Sequence, residues 1–429
     1  MSSNILEIKN GRVIDPANNR DESGASIFVV DGIIVEKLTD EQKHAAKVID
    51  AHGAVVCPGF VDLNAHLYQP GKTARETLET GTQAAAHGGV TTVVCTPDEG
   101  TVVDNSGTIR LVKELIDQGA CVKVLPVGNI TLGGKGEALA PTGALKKAGC
   151  VALSDSIGGV SNNEIMRRAL EYSLLFDMPI FDHCQDSSMS KTGVMHEGQV
   201  SLHHGLRGMP RASEDIIVGA DTLLSRLTEA RLHIQHVSSF RAVDTIREAK
   251  KHNVHITAEV SPAHLLLTDN DIGDYDTNKK INPPLRNEKD RVALIAGLKD
   301  GTIDAIASDH SPRTPTEKDC EFDYAPFGVT GLETMLPAAL EALYHSGALT
   351  LNEVVAKLTC DPAKVIKSSA GTLSAGTPAD ITIFDPDAAQ TWSLDKFVSK
   401  SKNSPFIDKT LRGKVLMTLV AGTVVYENN

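Results

Sequence analysis

The chain of 429 residues has no C-x-x-C pair, no Lys/Arg-rich block, no basic run interleaved with aromatics, and no apolar run near the roughly 18 residues of a membrane span. Each absence excludes something. Without clustered cations there is no footprint for nucleic acid, and the formal net charge is −13. Without a long apolar run no membrane helix is expected. The opening MSSNILEIKN lacks a charged segment followed by an apolar one, so no secretory signal is expected and the chain reads as cytoplasmic. Cysteines are few, odd in number and scattered: Cys57, Cys95, Cys121, Cys150, Cys184, Cys320 and Cys360. Most lie in or beside apolar runs, which predicts buried free thiols rather than a disulfide framework. Cys184 adjoins His183, but neighbours on a strand point to opposite faces, which weakens a nucleophile–base reading. Gly133-Gly134-Lys135-Gly136 lacks the other positions of a phosphate loop and reads as a surface loop.

What is present is a large apolar fraction, 41% of residues, distributed in short runs. Runs at 55–64, 91–96, 123–129, 150–155, 178–184, 231–238, 255–261 and 304–309 read as strands. Helix-period segments lie between them at 105–118, 162–176, 213–229, 242–252 and 289–298. Eight strand–helix alternations predict an α/β fold, a (β/α)8 barrel of the TIM type. Polar residues gather at the strand ends: His66, Asp98, Asn129, Asp155, His183, His236, His264 and Asp309. That distribution around all eight runs favours a barrel over an open sheet, because barrel sites are built at the C-terminal ends of the strands. The flanks carry short β-runs instead, at 5–9, 26–30, 33–37, 47–50, 381–384, 415–420 and 423–426. A composite β-sandwich domain from residues 1–54 and 371–429 is therefore expected around a barrel domain of residues 55–370.

Residues 55–66, VVCPGFVDLNAH, are the most informative stretch. Alternation points Asp62, Asn64 and His66 to one side. A strand presenting His-x-His would offer two imidazoles to a metal, but here the first position is Asn64, and an amide is a poor zinc ligand. His66, His183, His236 and Asp309 come from four different strand ends. Three imidazoles and a carboxylate are a plausible set for one zinc ion. Asp309 could also shuttle a proton from a bound water.

The segments PGFVDLNAHLYQPG, TGTQAAAHGGVTTVVCTPD, MPIFDHCQD, RLHIQHVSS, ITAEVSPAHLLLTD, NPPLR, DAIASDHSP and GTLSAGTPADITIFDP, in this order, resemble the dihydroorotase family of cyclic amidohydrolases along essentially the whole chain. The resemblance implies a barrel with a small β-domain. It also implies one or two zinc ions activating a water that reversibly opens dihydroorotate to carbamoyl aspartate. Several positions depart from the family. Asn64 stands at the first histidine of the pair, and Ser156 at the metal-bridging acid, beside a retained Asp155. Tyr68 replaces the arginine that grips the substrate carboxylate, and Asp98 replaces an asparagine. Pro262-Ala263-His264-Leu265 replaces Pro-His-His-Leu. Arg313, in Asp309-His310-Ser311-Pro312-Arg313, offers a substitute cation, while Asn282 and Arg286 remain as in the family.

Loss of even an outer-shell partner costs a metal site about 10–100-fold, so losses of ligands themselves weigh more. The resemblance together with these losses points first to a non-catalytic dihydroorotase-like subunit bound to aspartate transcarbamoylase. Zinc is expected as one ion at most or none, and a homo-oligomer is expected. The alternatives are an active dihydroorotase with a mononuclear site (His66, His183, His236 and Asp309 on zinc, with Tyr68, Asp98, Asn282 and Arg313 toward the substrate) and an amidohydrolase for another cyclic amide.

Overall fold

A computed structural model describes residues 4–98 and 100–428. Its centre is made of eight short strands: β1 (Phe60–Ala65), β2 (Val90–Cys95), β3 (Lys123–Gly128), β4 (Ala152–Leu153), β5 (Ile180–Asp182), β6 (Leu232–Ile234), β7 (Ile256–Val260) and β8 (Ala305–Ile306). They pair in chain order, every pair parallel. The last returns to the first: Ala65 bridges His310, and the His66 N–H donates to the His310 carbonyl at 2.8 Å. Both faces of such strands are covered, which is why they read as continuous Val/Ile/Ala runs rather than alternating ones.

The covering helices are α1 (Leu78–His87), α2 (Ser106–Gly119), α3 (Thr142–Ala148), α4 (Asn163–Leu174), α5 (Ala212–Thr228), α6 (Phe240–Lys251), α7 (Glu288–Lys299) and α8 (Leu351–Leu358). The five helices expected from periodicity are α2, α4, α5, α6 and α7. Side chains of Asn105, Asn162, Ser239 and Asn287 cap four of them by accepting first-turn N–H bonds, and so fix where each helix begins.

The termini form a separate eight-stranded sheet. It comprises Ile5–Asp15, Arg20–Val30, Ile33–Val35, Lys47–Asp50, Val55–Pro58, Ile381–Thr391, Thr410–Val420 and Thr423–Glu427. Its own core includes Leu6, Ile8, Val29, Val56, Ile383 and Leu419. It docks on the barrel through the Thr382 and Thr418 hydroxyls, which donate to the carbonyls of Gly89 and Ala86 at 2.6 and 2.7 Å.

One expected element divides in two. The run 55–64 is not a single strand: Val55–Pro58 pairs with Ile381–Phe384 in the terminal sheet, and β1 starts the barrel. Both halves are apolar because each serves a different core, so hydrophobicity carries no mark of the break. Gly59 makes it: a Cβ there would lie 2.1 Å from the Thr91 hydroxyl and 2.2 Å from its methyl. Gly59→Ala is expected to destabilise the fold by about 1–3 kcal/mol through overpacking, read as a lowered urea midpoint; an unchanged midpoint would show that the junction relaxes freely.

Candidate functional site

The C-terminal ends of the strands enclose a cavity of about 180 Å³. Asn64, His66, Ser156, His183, Gln235, His236, Asn282, Asp309, Ser311 and Arg313 line it, with residues 326–328 across the opening. The four residues expected to hold a metal therefore share one cavity. So do Asn64, Ser156, Asn282 and Arg313. Ser156, His236 and Asp309 have φ of 53°, 35° and 51°. Such left-handed backbone costs a non-glycine residue about 1–3 kcal/mol and persists only where the surrounding fold enforces it.

Within the cavity the donor set separates into pairs. His183 Nδ1 lies 3.0 Å from His236 Nε2. His183 Nε2 lies 2.7 Å from Gln185 Oε1, which also accepts from Asn282 Nδ2 at 2.9 Å. Burial lowers the pKa of both imidazoles, most strongly for His236, whose neighbour His183 adds to the effect. Both are then neutral. The shorter contact, to an amide oxygen that only accepts, assigns the Nε2–H of His183 to Gln185 over the Asn282 amide nitrogen at 3.3 Å, and with that tautomer its Nδ1 accepts from the Nε2–H of His236. His236 Nδ1 is left as a buried lone pair without a hydrogen-bond partner.

On the opposite wall, Asn64 Nδ2 stands 3.5 Å from Asp309 Oδ1, and Asn64 Oδ1 and His66 Nδ1 both neighbour the Thr96 hydroxyl, at 3.2 and 3.3 Å. Burial raises the Asp309 pKa well above the carboxylate range, and the nearby acids Glu259 and Asp62 add to the shift while Arg313 opposes it. Beneath them, burial pushes Asp62 up to about 7 although it accepts two bonds from Ser308. Glu259 is pushed up to about 8 and His233, 3.1 Å away, down to about 3, in each case first by burial. That contact is a bond between neutral groups, the carboxyl donating to Nε2, and not an ion pair.

Other expected residues lie elsewhere. Asp98 does not line the cavity; its carboxylate accepts the Gly100 N–H at 2.6 Å and shapes its own turn. Tyr68 stands behind the wall, its hydroxyl 2.9 Å from Ser311 and accepting from Arg313, with the guanidinium carbons of Arg75 and Arg313 at 5.3 and 5.6 Å from its ring centre. Arg313 reaches the cavity but also donates to the Phe327 carbonyl at 2.7 Å. Asp155 accepts from the backbone of Ile130 and Thr131 and braces a loop. His264 has Ser261 at 2.8 Å and the Pro283 carbonyl at 3.0 Å on its two nitrogens. Arg286 is buried against Glu214, Ser238 and the Met209 carbonyl. Sequence reasoning set Asp62 on the side of Asn64 and His66 without giving it a role, and missed Gln185, Gln235 and Glu259. The polar interruption of otherwise apolar strands is the signal that marks the last two.

Three comparisons with known proteins place the chain. The chain is 45% identical over 423 residues to a dihydroorotase of Endomicrobium trichonymphae, covering 98% of this chain and 99% of the relative. It is 46% identical over 423 residues to one of Pelotomaculum thermopropionicum, covering 99% of each. The chain belongs to the dihydroorotase family. Residues 53–242 match the dihydro-orotase-like family by themselves. In fold it is similar to an L-hydantoinase (dihydropyrimidinase) of Arthrobacter aurescens, with TM-score 0.86, 24% identity, and 98% and 96% of the two chains covered. A dihydropyrimidinase of Brevibacillus agri gives TM-score 0.84 at 23% identity, with 99% and 95% covered.

Membership in a typically metal-dependent family makes the fit of zinc a question for the donors. Tetrahedral zinc with bonds near 2.05 Å holds its ligand atoms about 3.3 Å apart. His183 Nδ1 and His236 Nε2, 3.0 Å apart, stand close to that edge, but His66 and Asp309 do not join them. Among the described residues, only Asp182, Cys184 and Asp221 bring three ligand atoms within 4.8 Å of one another, and they lie outside this cavity. The cavity residues as arranged do not form a zinc site.

The protonated acids give a pH signature. Their folded pKa values are raised, so the native state keeps protons that the unfolded chain releases near pH 4. Stability from Asp62 and Glu259 is complete below that range, falls as pH rises, and is lost through about pH 7–8. Glu259→Gln, which keeps a donor toward His233, is expected to flatten the fall in unfolding free energy between pH 5 and 8 by up to roughly 1.4 kcal/mol per pH unit. Denaturant titrations across that range check it.

Proposed function

We propose that this dihydroorotase-type protein of pyrimidine biosynthesis does not hydrolyse dihydroorotate itself, and acts as a partner subunit of aspartate transcarbamoylase. The observation that carries this reading is the donor set of the cavity, in which no three of His66, His183, His236 and Asp309 bring ligand atoms within 4.8 Å of one another. Asn64 and Ser156 line the same cavity and contribute an amide and a hydroxyl where the family has an imidazole and an acid. Arg313, the one guanidinium on the cavity wall among the described residues, is tied to Tyr68 and the Phe327 carbonyl. What remains is a pocket of hydrogen-bonding groups and one bonded guanidinium on an intact scaffold.

The comparisons weigh the other way and favour a second reading, an active dihydroorotase. Eight relatives at 43–46% identity, matched over nearly their full length, carry that name. In that reading His66, His183, His236 and Asp309 would hold a zinc ion that supplies the attacking water, Asp309 would carry that water's proton to the departing ring nitrogen, Arg313 would bind the substrate carboxylate and Asn282 would hydrogen-bond the ring.

Zinc analysis and a dihydroorotate assay on one preparation separate the two. The first reading expects substoichiometric zinc, no ring opening in either direction, and co-purification with a transcarbamoylase. Robust turnover abolished by Asp309→Ala would replace it with the second. A paired reversion tests the stated cause: Asn64→His with Ser156→Asp is expected to raise zinc uptake to stoichiometric. Aspartate suits the left-handed backbone at position 156. No uptake by the folded double variant would show that these two positions are not what deprives the site of metal.

A further inference from the structure

The barrel has a second cavity at its other end. It encloses about 470 Å³, more than the 180 Å³ at the mouth, and falls in the size range of small-molecule sites. Its wall uses residues that directly precede strands: Pro179 before β5, Arg231 before β6, His255 before β7 and Asp304 before β8. These are the N-terminal ends of parallel strands, so the cavity lies at the far end from the mouth. The short helix Cys360–Val365 and Lys367 beyond it supply the facing side. Pro179, Leu232, Val254, Ile256 and Val365 give the cavity an apolar surface.

The charges around it do not balance. Among the described residues the wall carries the cations Arg231, Lys357, Lys364 and Lys367 against the acids Asp304 and Asp361. Following each ion pair outward keeps the excess. Asp304 is taken by Lys250 at 2.7 Å, a lysine outside the wall. Asp361 is shared by Lys364 at 2.8 Å and Lys357 at 3.5 Å. Asp177, also outside the wall, is shared by Lys367 at 2.6 Å and Arg231 at 3.2 Å. Five cations therefore share three carboxylates, an excess of two positive charges in a chain whose net charge is −13. The other partners of Arg231 are the carbonyls of Val365 and Asp177, and burial lowers its pKa although the Asp177 carboxylate opposes the shift. Its guanidinium is under-compensated. Lys364 and Lys367 are 72% and 56% exposed, and ion pairs so open to water hold their partners weakly, so both ammonium groups can turn to a stronger anion.

A phosphomonoester carries a charge of about −2 at neutral pH and three acceptor oxygens, which matches the excess and suits guanidinium and ammonium donors. A nucleoside attached to it would lay a planar face on the apolar surface and fill volume that a bare phosphate leaves empty. We infer that this basal cavity binds a nucleoside 5′-monophosphate, its phosphate held by Lys364, Lys367 and Arg231 and its base against the apolar side. The site is remote from the mouth, so it stands or falls independently of whether the protein turns over dihydroorotate. Calorimetric titration of the full chain with the four ribonucleoside 5′-monophosphates, inorganic phosphate and uridine tests it. At least one mononucleotide is expected to bind at one site per chain with a Kd below about 1 mM, more tightly than inorganic phosphate, and uridine to give no heat. Affinity is expected to fall as salt rises. Lys364→Ala combined with Lys367→Ala is expected to weaken binding at least about 10-fold, with circular dichroism and thermal melting as folding controls on two exposed truncations. No binding of any mononucleotide up to about 5 mM, inorganic phosphate bound as tightly as the best of them, or unchanged nucleotide affinity in the folded double variant each overturns the proposal.

Discussion

The structure depends on the seam where β8 returns to β1. The barrel closes there through the His66 N–H on the His310 carbonyl and through Ser308, whose backbone and hydroxyl both donate to Asp62. Asn64 and His66 on one side of that seam, and Asp309, Ser311 and Arg313 on the other, reach the cavity wall only because the first and last strands meet. The bonds that complete the sheet also set the site. The barrel can therefore keep its shape while the chemistry of the inward side chains changes, since closure draws chiefly on backbone groups and on Asp62.

The interior beneath the cavity is held by neutral groups rather than by charge. Asp62, Glu259 and Asp309 keep their protons, and His183, His233 and His236 stay unprotonated, because burial removes the water that would stabilise their ions. Neutral donors and acceptors can satisfy one another in such a place at low cost, whereas an unpaired ion there is expensive. The His183–His236–Gln185 chain is this solution applied to groups that a metal would otherwise organise. The Nδ1 of His236 stays outside it, as do Gln235 Nε2 and Glu259 Oε1 nearby.

Much of this was legible in the sequence. The eight alternations and the polar strand ends pointed to the barrel and the location of its mouth, because periodicity is local. His66, His183, His236 and Asp309 were found by their position at strand ends, and they do share a cavity. Their division into bonded pairs was not legible, since it depends on distances between strands that are far apart in the chain. Asp98 looked like a wall residue by the same strand-end rule, yet it folds back on Gly100, a local turn that the rule ignores. The break at Gly59 was hidden because two different cores ask for the same kind of residue on either side of it.

Tyr68 constrains what its own position can hold. The guanidinium groups of Arg75 and Arg313 both lie over its ring, with Glu317 as the acid paired to Arg75. An arginine placed at position 68 would add a third cation to this cluster, and Arg313 would lose the hydroxyl it now donates to. A guanidinium there would call for a compensating change at Arg313 or Arg75, so the identity of residue 68 is tied to one position close by and to another far along the chain.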